Sequence, residues 1–245
     1  MPEGPSIVII KEQLLPAIVG KKILTASGNA KIDMPLLENK KVTAVRSLGK
    51  QLLLFIPGNT IRIHLLLFGS WSIGEQIKPG KQLRLKLVFS KTSIFFYSCS
   101  VRLLDENAKE TFDWETDVMA EEWNPGKARK KLKTMGETMI CDALLDQQVF
   151  AGVGNIIKNE VLYRVRLHPE TKVKNIPARK LTELVKEARN YSFDFLKWKK
   201  AFTLRKHWMV HTKKECPRCN LKLIKKYPGE TKRRAFFCTN CQVKY

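Results

Sequence analysis

Apolar and polar residues alternate with period two at 61–65 (IRIHL) and 83–87 (LRLKL), as expected for strands buried on one face. Residues 51–56 (QLLLFI) and 94–97 (IFFY) are short apolar runs of the kind found in strands buried on both faces. Pro57-Gly58-Asn59, Gly69-Ser70 and Pro79-Gly80 supply turn chemistry between them. Short strands at this spacing predict a sandwich or barrel over the first hundred residues, with a helix over 6–15 on its flank.

Beyond Pro125 the apolar period lengthens to that of helices. Segments 140–150 and 155–165 are predicted helical, the second stopped by Pro169. Leu181, Leu184, Val185, Ala188 and Phe195 mark one face of a third helix over 177–198. The change of period places a domain boundary near 105–125, and there is neither an internal repeat nor a low-complexity tract.

Composition narrows the class. The 245 residues are 44% hydrophobic, enough for an ordinary core, and no apolar run is long enough to span a membrane. The N-terminus lacks the basic and apolar regions of a secretory signal, so a protein that is not exported is expected. The formal net charge of +22 points to a polyanionic partner, most simply nucleic acid. That charge falls in two blocks: net +9 over 1–100 and net +17 over 151–245, separated by net −4 over 101–150. The acidic side chains crowd between Asp105 and Glu122, and are expected to form a solvated belt turned away from the polyanion.

Of the six cysteines, Cys216, Cys219, Cys238 and Cys241 form C-x2-C-x18-C-x2-C, the spacing of a four-thiolate zinc site. Two disulfides are the alternative, disfavoured where thiols stay reduced. Residues 221–224 and 236–237 are predicted to pair as a hairpin between the two knuckles. So small a hairpin depends on its metal, by on the order of 10 kcal/mol, and four thiolates leave no open position for catalysis. One structural Zn2+ is therefore the expected cofactor. The hairpin loop carries Lys232, Arg233 and Arg234, three cations suited to phosphate. Cys99 and Cys141 are expected to be small buried hydrophobes.

Three separated segments, MPEGP at 1–5, LDQQVFAGVGN at 145–155 and the C-terminal four-cysteine hairpin, together resemble the formamidopyrimidine-DNA glycosylase / endonuclease VIII family. The resemblance covers essentially the whole chain in the family's order. It implies a multidomain α and β fold: an N-terminal catalytic β-sandwich with flanking helix (1–118), a helix–two-turn–helix DNA-binding domain (119–204) and a zinc finger (205–245). It implies DNA held between the lobes, base excision repair as the process, and a DNA glycosylase that is also an abasic-site lyase.

The N-terminal chemistry can be reasoned independently. Initiator methionine before a small residue is normally trimmed, leaving Pro2 with a free secondary amine. An α-amino group titrates at about 7.7–8.0, far below the roughly 10.4 of lysine, so more of it is unprotonated at neutral pH. Such an amine can attack the anomeric carbon of a deoxyribose, expel the base and form an iminium that permits β,δ-elimination of the phosphates. Glu3 beside it is the candidate general acid. By resemblance, Lys50 in LGKQLL at 48–53 is the catalytic lysine of the β-domain. Asn155, opening a helix after Gly152-Val153-Gly154, matches the family's phosphate-binding asparagine. The family arginine falls at Arg233, with Arg234 an additional cation. In HLLLFG at 64–69 the wedge that fills the gap left by an extruded nucleotide is Leu67, flanked by Leu66 and Phe68. Core packing in a strand is an equal reading for Leu66 and Phe68, and His64 reads equally as a structural histidine.

Gly4-Pro5, the Leu67-Phe68 wedge and the short stretch between Trp198 and Cys216 resemble the endonuclease VIII branch, which removes oxidised pyrimidines. Ser6 departs from both bacterial branches, which usually carry Glu there. The alternatives are an oxidised-purine (formamidopyrimidine) glycosylase and a non-catalytic damaged-DNA-binding protein on the same scaffold. The expected partner is damaged double-stranded DNA, bound by a monomer with no membrane association, in the cytoplasm and, if the host is bacterial, on the nucleoid.

Overall fold

The computed structural model describes residues 2–105 and 112–245, which form two compact units, Met1–Phe112 and Asp113–Tyr245. Met1, an initiator residue of the kind normally trimmed, and part of the acidic belt after Asp105 lie outside the described residues.

The first unit begins with α1 (Gly4–Ile18), longer at both ends than the periodicity predicts. Pro5 sits in its first turn, where a missing N–H costs nothing. Ile7, Ile10, Leu14 and Ile18 recur at helical spacing and are almost wholly buried, each contributing roughly 1.5–3 kcal/mol of apolar burial. Among the described residues eight strands follow: β1 (Thr25–Ser27), β2 (Ala44–Leu48), β3 (Gln51–Ile56), β4 (Asn59–His64), β5 (Ser70–Ile73), β6 (Leu83–Val88), β7 (Ser93–Tyr97) and β8 (Ser100–Asp105). They form two antiparallel sheets, ordered β2-β3-β4-β8 and β1-β6-β7-β5. Ile61 and Ile63 of one sheet share a core with Leu85 and Leu87 of the other and with α1, making a β-sandwich with a helix on it. In β3, consecutive Leu52, Leu53 and Leu54 are all buried, which is why this strand reads as an unbroken apolar run.

The second unit is helical: α2 (Pro125–Thr134), α3 (Ile140–Ala143), α4 (Asn155–Arg164) and α5 (Ala178–Lys200). Its core joins Leu132, Ile157, Val161, Leu184, Val185, Ala188 and Phe195. The helix predicted over 140–150 is one turn only. After Ala143 the ladder gives way to i→i+3 turns, with the Leu145 N–H on the Asp142 carbonyl at 2.9 Å and the Asp146 N–H on the Ala143 carbonyl at 3.3 Å. Asp146 Oδ1 then accepts the Gln148 N–H at 2.7 Å, which competes with a resumed helix. The four-cysteine segment folds onto α4 as a hairpin of β9 (Ile224–Lys226) and β10 (Ala235–Phe237), its first strand slightly later than the sequence suggests. No helix among the described residues is long and apolar enough to cross a membrane.

Candidate functional site

In the first unit the candidate residues lie at the start of α1 and at one end of the β2-β3-β4-β8 sheet. Glu3 is the N-cap of α1, with extended backbone, and it is fully buried directly after the half-buried Pro2. Its carbonyl accepts the N–H of Ser6, which is itself buried in the first turn. Lys50 occupies the two-residue turn between Leu48 and Gln51, the last cross-strand pair of β2 and β3. Gly49 makes that turn with φ +55°, a conformation glycine adopts without a Cβ clash.

His64 pairs with Gln51 at the same end of the sheet. Burial, then the positive charges of Lys50 and Arg62, push its imidazole below the ordinary histidine value and favour the neutral ring. Its Nδ1 accepts the Leu66 N–H at 3.1 Å, which ties it to the loop that follows. That loop is tight: the Gly69 N–H donates to the Leu65 carbonyl at 2.8 Å, and a Cβ on Gly69 would sit 2.1 Å from the same oxygen. Leu65 is buried and anchors the loop. Leu66, Leu67 and Phe68 are 49%, 48% and 81% exposed, and Leu66 adopts φ +54°. The strand-core reading of Leu66 and Phe68 is thereby excluded. Three consecutive apolar side chains are instead presented to solvent on a constrained turn beside Lys50 and His64.

In the second unit, Gly152 (φ +99°) opens the turn that delivers Asn155 to the first position of α4. Gln147 braces this turn. Its Nε2 donates to the carbonyls of Leu145 and Val153, and its Oε1 accepts the Gly152 N–H. Sequence reasoning missed Gln147, and it also missed the buried polar ladder along α4. Lys158, Asn159 and Glu160 are all at most 1% exposed. Lys158 Nζ donates to Asn155 Oδ1 at 2.8 Å and to the Arg234 carbonyl at 2.9 Å. Asn159 donates to the same carbonyl at 3.3 Å and accepts the Phe236 N–H. At the far end of the hairpin loop, Asp142 accepts N–H bonds from Glu230 and Thr231 and the Thr231 hydroxyl. The side chains of Lys232, Arg233 and Arg234 are exposed on a backbone fixed at both ends.

The Sγ atoms of Cys216, Cys219, Cys238 and Cys241 lie within 4.8 Å of one another. The separations are 3.6 Å for Cys216–Cys241 and 3.5 Å for both Cys219–Cys238 and Cys219–Cys241. A tetrahedral Zn2+ with Zn–S bonds of about 2.3 Å would set its sulfurs about 3.8 Å apart, so the donor set fits that ion. None of the four is in a disulfide. The Tyr163 hydroxyl, from α4, contacts Cys216 Sγ at 3.1 Å, and Arg218 lies over the Tyr163 ring. Cys99 and Cys141 are buried outside this cluster, and burial pushes their thiols up to about 11 and about 12.

Residues 1–103 match the model of the formamidopyrimidine-DNA glycosylase N-terminal domain, and residues 115–192 match that of the formamidopyrimidine-DNA glycosylase H2TH domain. The chain belongs to the formamidopyrimidine-DNA glycosylase / endonuclease VIII family. It is similar to endonuclease 8-like 3 of Xenopus laevis, at 31% identity over 90% of this chain and 38% of that protein. The mouse endonuclease 8-like 3 is 34% identical over 82% of this chain and 34% of its own length. The chain thus spans little more than a third of these relatives. The formamidopyrimidine-DNA glycosylase of Chloroflexus aurantiacus matches at 25% over 99% of this chain and 98% of that one. Among solved structures, Lactococcus lactis formamidopyrimidine-DNA glycosylase, non-covalently bound to DNA containing an AP site, superposes with a TM-score of 0.87. It is 21% identical and covered over 99% of this chain and 100% of that one, which establishes the shared fold.

Proposed function

We propose that this chain is a bifunctional DNA glycosylase and abasic-site lyase of base excision repair, acting on damaged double-stranded DNA and removing oxidised pyrimidines. The observation that carries the reading is the full burial of the Glu3 carboxyl directly beside Pro2 at the head of α1. An ordinary frayed terminus would leave that acid in water.

The Pro2 nitrogen, freed by removal of Met1, attacks C1′ of the damaged nucleotide. The C1′–base bond breaks, and the base leaves with the bonding electrons and a proton. The nitrogen loses its own proton, the C1′–O4′ bond opens onto a protonated O4′, and an iminium links Pro2 to the sugar. Glu3 is the proton donor to the sugar or the leaving base. The iminium acidifies C2′–H, and successive β- and δ-eliminations release the 3′ and then the 5′ phosphate. Lys50, on its hairpin turn, supplies an ammonium for phosphate or the lesion, and Leu67 with Leu66 and Phe68 fills the vacated stack. Asn155 and Arg233, with Arg234 beside it, hold the DNA backbone.

Cys216, Cys219, Cys238 and Cys241 would hold one Zn2+. Closed by four thiolates, it supplies rigidity to the hairpin and no reacting group. The division of labour is then catalysis in 1–118, DNA binding in 119–204 and a zinc finger in 205–245. The protein works as a monomer in the cytoplasm, on the nucleoid if its host is bacterial.

Borohydride reduction in the presence of a duplex carrying an abasic site tests the covalent step. A protein–DNA adduct that disappears in Pro2→Gly is expected; absence of any adduct from methionine-processed protein would overturn the reading. Cleavage of duplexes with oxidised pyrimidines against oxidised guanine tests the branch, with faster cutting of the pyrimidines expected.

A further inference from the structure

The first turn of α4 holds a lysine where an apolar residue would be expected. Lys158 is 0% exposed, in a helix whose Ile157, Val161 and Leu162 are core. An ammonium so placed persists only if its donors are answered. Two of the acceptors are Asn155 Oδ1 at 2.8 Å and the Arg234 carbonyl at 2.9 Å.

This arrangement has a chemical consequence. The oxygen and nitrogen of an asparagine amide are nearly the same size, and the partner on each side decides which atom faces it. An ammonium has three donors and no acceptor, so the atom facing Lys158 is the carbonyl oxygen. The NH2 group of Asn155 is therefore turned away from the core. A phosphate is only an acceptor, and an asparagine free to flip would offer it the wrong atom part of the time. Lys158 Nζ also donates to the Arg234 carbonyl, which Asn159 clamps as well at 3.3 Å.

We propose that Lys158 is a positioning residue: it commits Asn155 to act as a hydrogen-bond donor toward phosphate and fastens the Arg234 backbone to the same point. The proposal rests on the reading of Asn155 as a phosphate contact. Lys158 touches no DNA. It acts through Asn155 by excluding one of its two amide orientations, and through the hairpin by holding the loop against α4.

The test compares Asn155→Ala, Lys158→Met and the double variant. Each is checked for an intact thermal transition before its affinity is measured for a duplex with a tetrahydrofuran abasic analogue, between 50 and 200 mM salt. Asn155→Ala is expected to weaken binding about tenfold. Lys158→Met should weaken it by a similar factor, and the double variant by little more than either alone. In 15N-resolved spectra, the Asn155 side-chain NH2 pair should shift on addition of duplex in the wild type and not in Lys158→Met. Additive losses in the double variant would overturn the proposal and leave Lys158 a structural residue, as would an NH2 pair that responds to DNA without Lys158. If Asn155→Ala binds as the wild type does, the phosphate reading itself fails. Asn155→Asp keeps the oxygen that Lys158 requires and removes the donor. It should match the alanine variant or bind more weakly, and wild-type affinity there would also overturn the proposal.

Discussion

The buried carboxylate of Glu160 accepts the backbone N–H of His211 at 2.8 Å. The same carboxylate takes the N–H groups of Met209 and Val210 at 2.9–3.1 Å, so one α4 side chain satisfies three successive donors in the segment leading to the first cysteine pair. Backbone donors turned inward have no water to replace that acceptor. Glu160→Gln keeps the size but removes the charge and puts a donor where an acceptor is needed. We expect a loss of about 2–4 kcal/mol in urea unfolding. A change below about 0.5 kcal/mol would mean that the three donors find other partners.

His211 carries a second prediction. Burial, followed by the nearby charges of Arg234 and Lys158, pushes its imidazole down to about 4. Its ring nitrogen Nδ1 faces the Asn159 amide at 3.1 Å, and its ring packs edge-on against Trp208 and Phe236. The folded value lies below the unfolded value of about 6.5. The neutral form therefore contributes stability that is complete above pH 6.5 and lost as pH falls through 4. The contribution is on the order of 3 kcal/mol at most. An NMR titration of the His211 ring should show a midpoint near 4; a midpoint above 6 would contradict the burial of the neutral ring.

How much of this was legible in the sequence depended on how local the determining contacts are. The four cysteines were legible because ligand spacing is a local property, and the sandwich was legible because period two survives in β4 and β6. Lys158 and Glu160 were not. A charged residue in a helix ordinarily faces water, and these two are buried among partners that include Arg234 and His211, some fifty or more residues away in the chain. Residues 140–150 misled for the opposite reason. Their apolar spacing is helical, but the ladder gives way to i→i+3 turns after Ala143, and Asp146 then offers its own side chain to the Gln148 N–H. The LLLF run at 65–68 was ambiguous until the φ of Leu66 turned the loop outward, leaving Leu65 alone inside.

That loop separates stability from binding. Leu67→Ala and Phe68→Ser, at half-exposed and exposed positions, should each change unfolding free energy by less than about 0.5 kcal/mol. Leu65→Ala, at a position 5% exposed, should cost about 2–4 kcal/mol. If the exposed residues fill the gap left by an extruded nucleotide, Leu67→Ala should slow cutting of a damaged duplex about tenfold while the melt is unchanged. Equal activity of wild type, Leu67→Ala and Phe68→Ser would remove the wedge from the mechanism.

Metal removal gives the last prediction, because the cysteine cluster and α4 share one small core. Tyr163 of α4 packs with Val210, Cys216, Leu223, Phe236 and Cys238, too few apolar residues to hold the segment without cross-links. Chelation should therefore unfasten the hairpin and with it the exposed Arg233 and Arg234. The first unit has its own core of α1 and two sheets and should stay folded. We expect one zinc per chain by elemental analysis. After chelation, loss of DNA cutting should accompany retained β-sheet signal in circular dichroism. Full cutting by a metal-free preparation would show that the hairpin holds its cations without the ion.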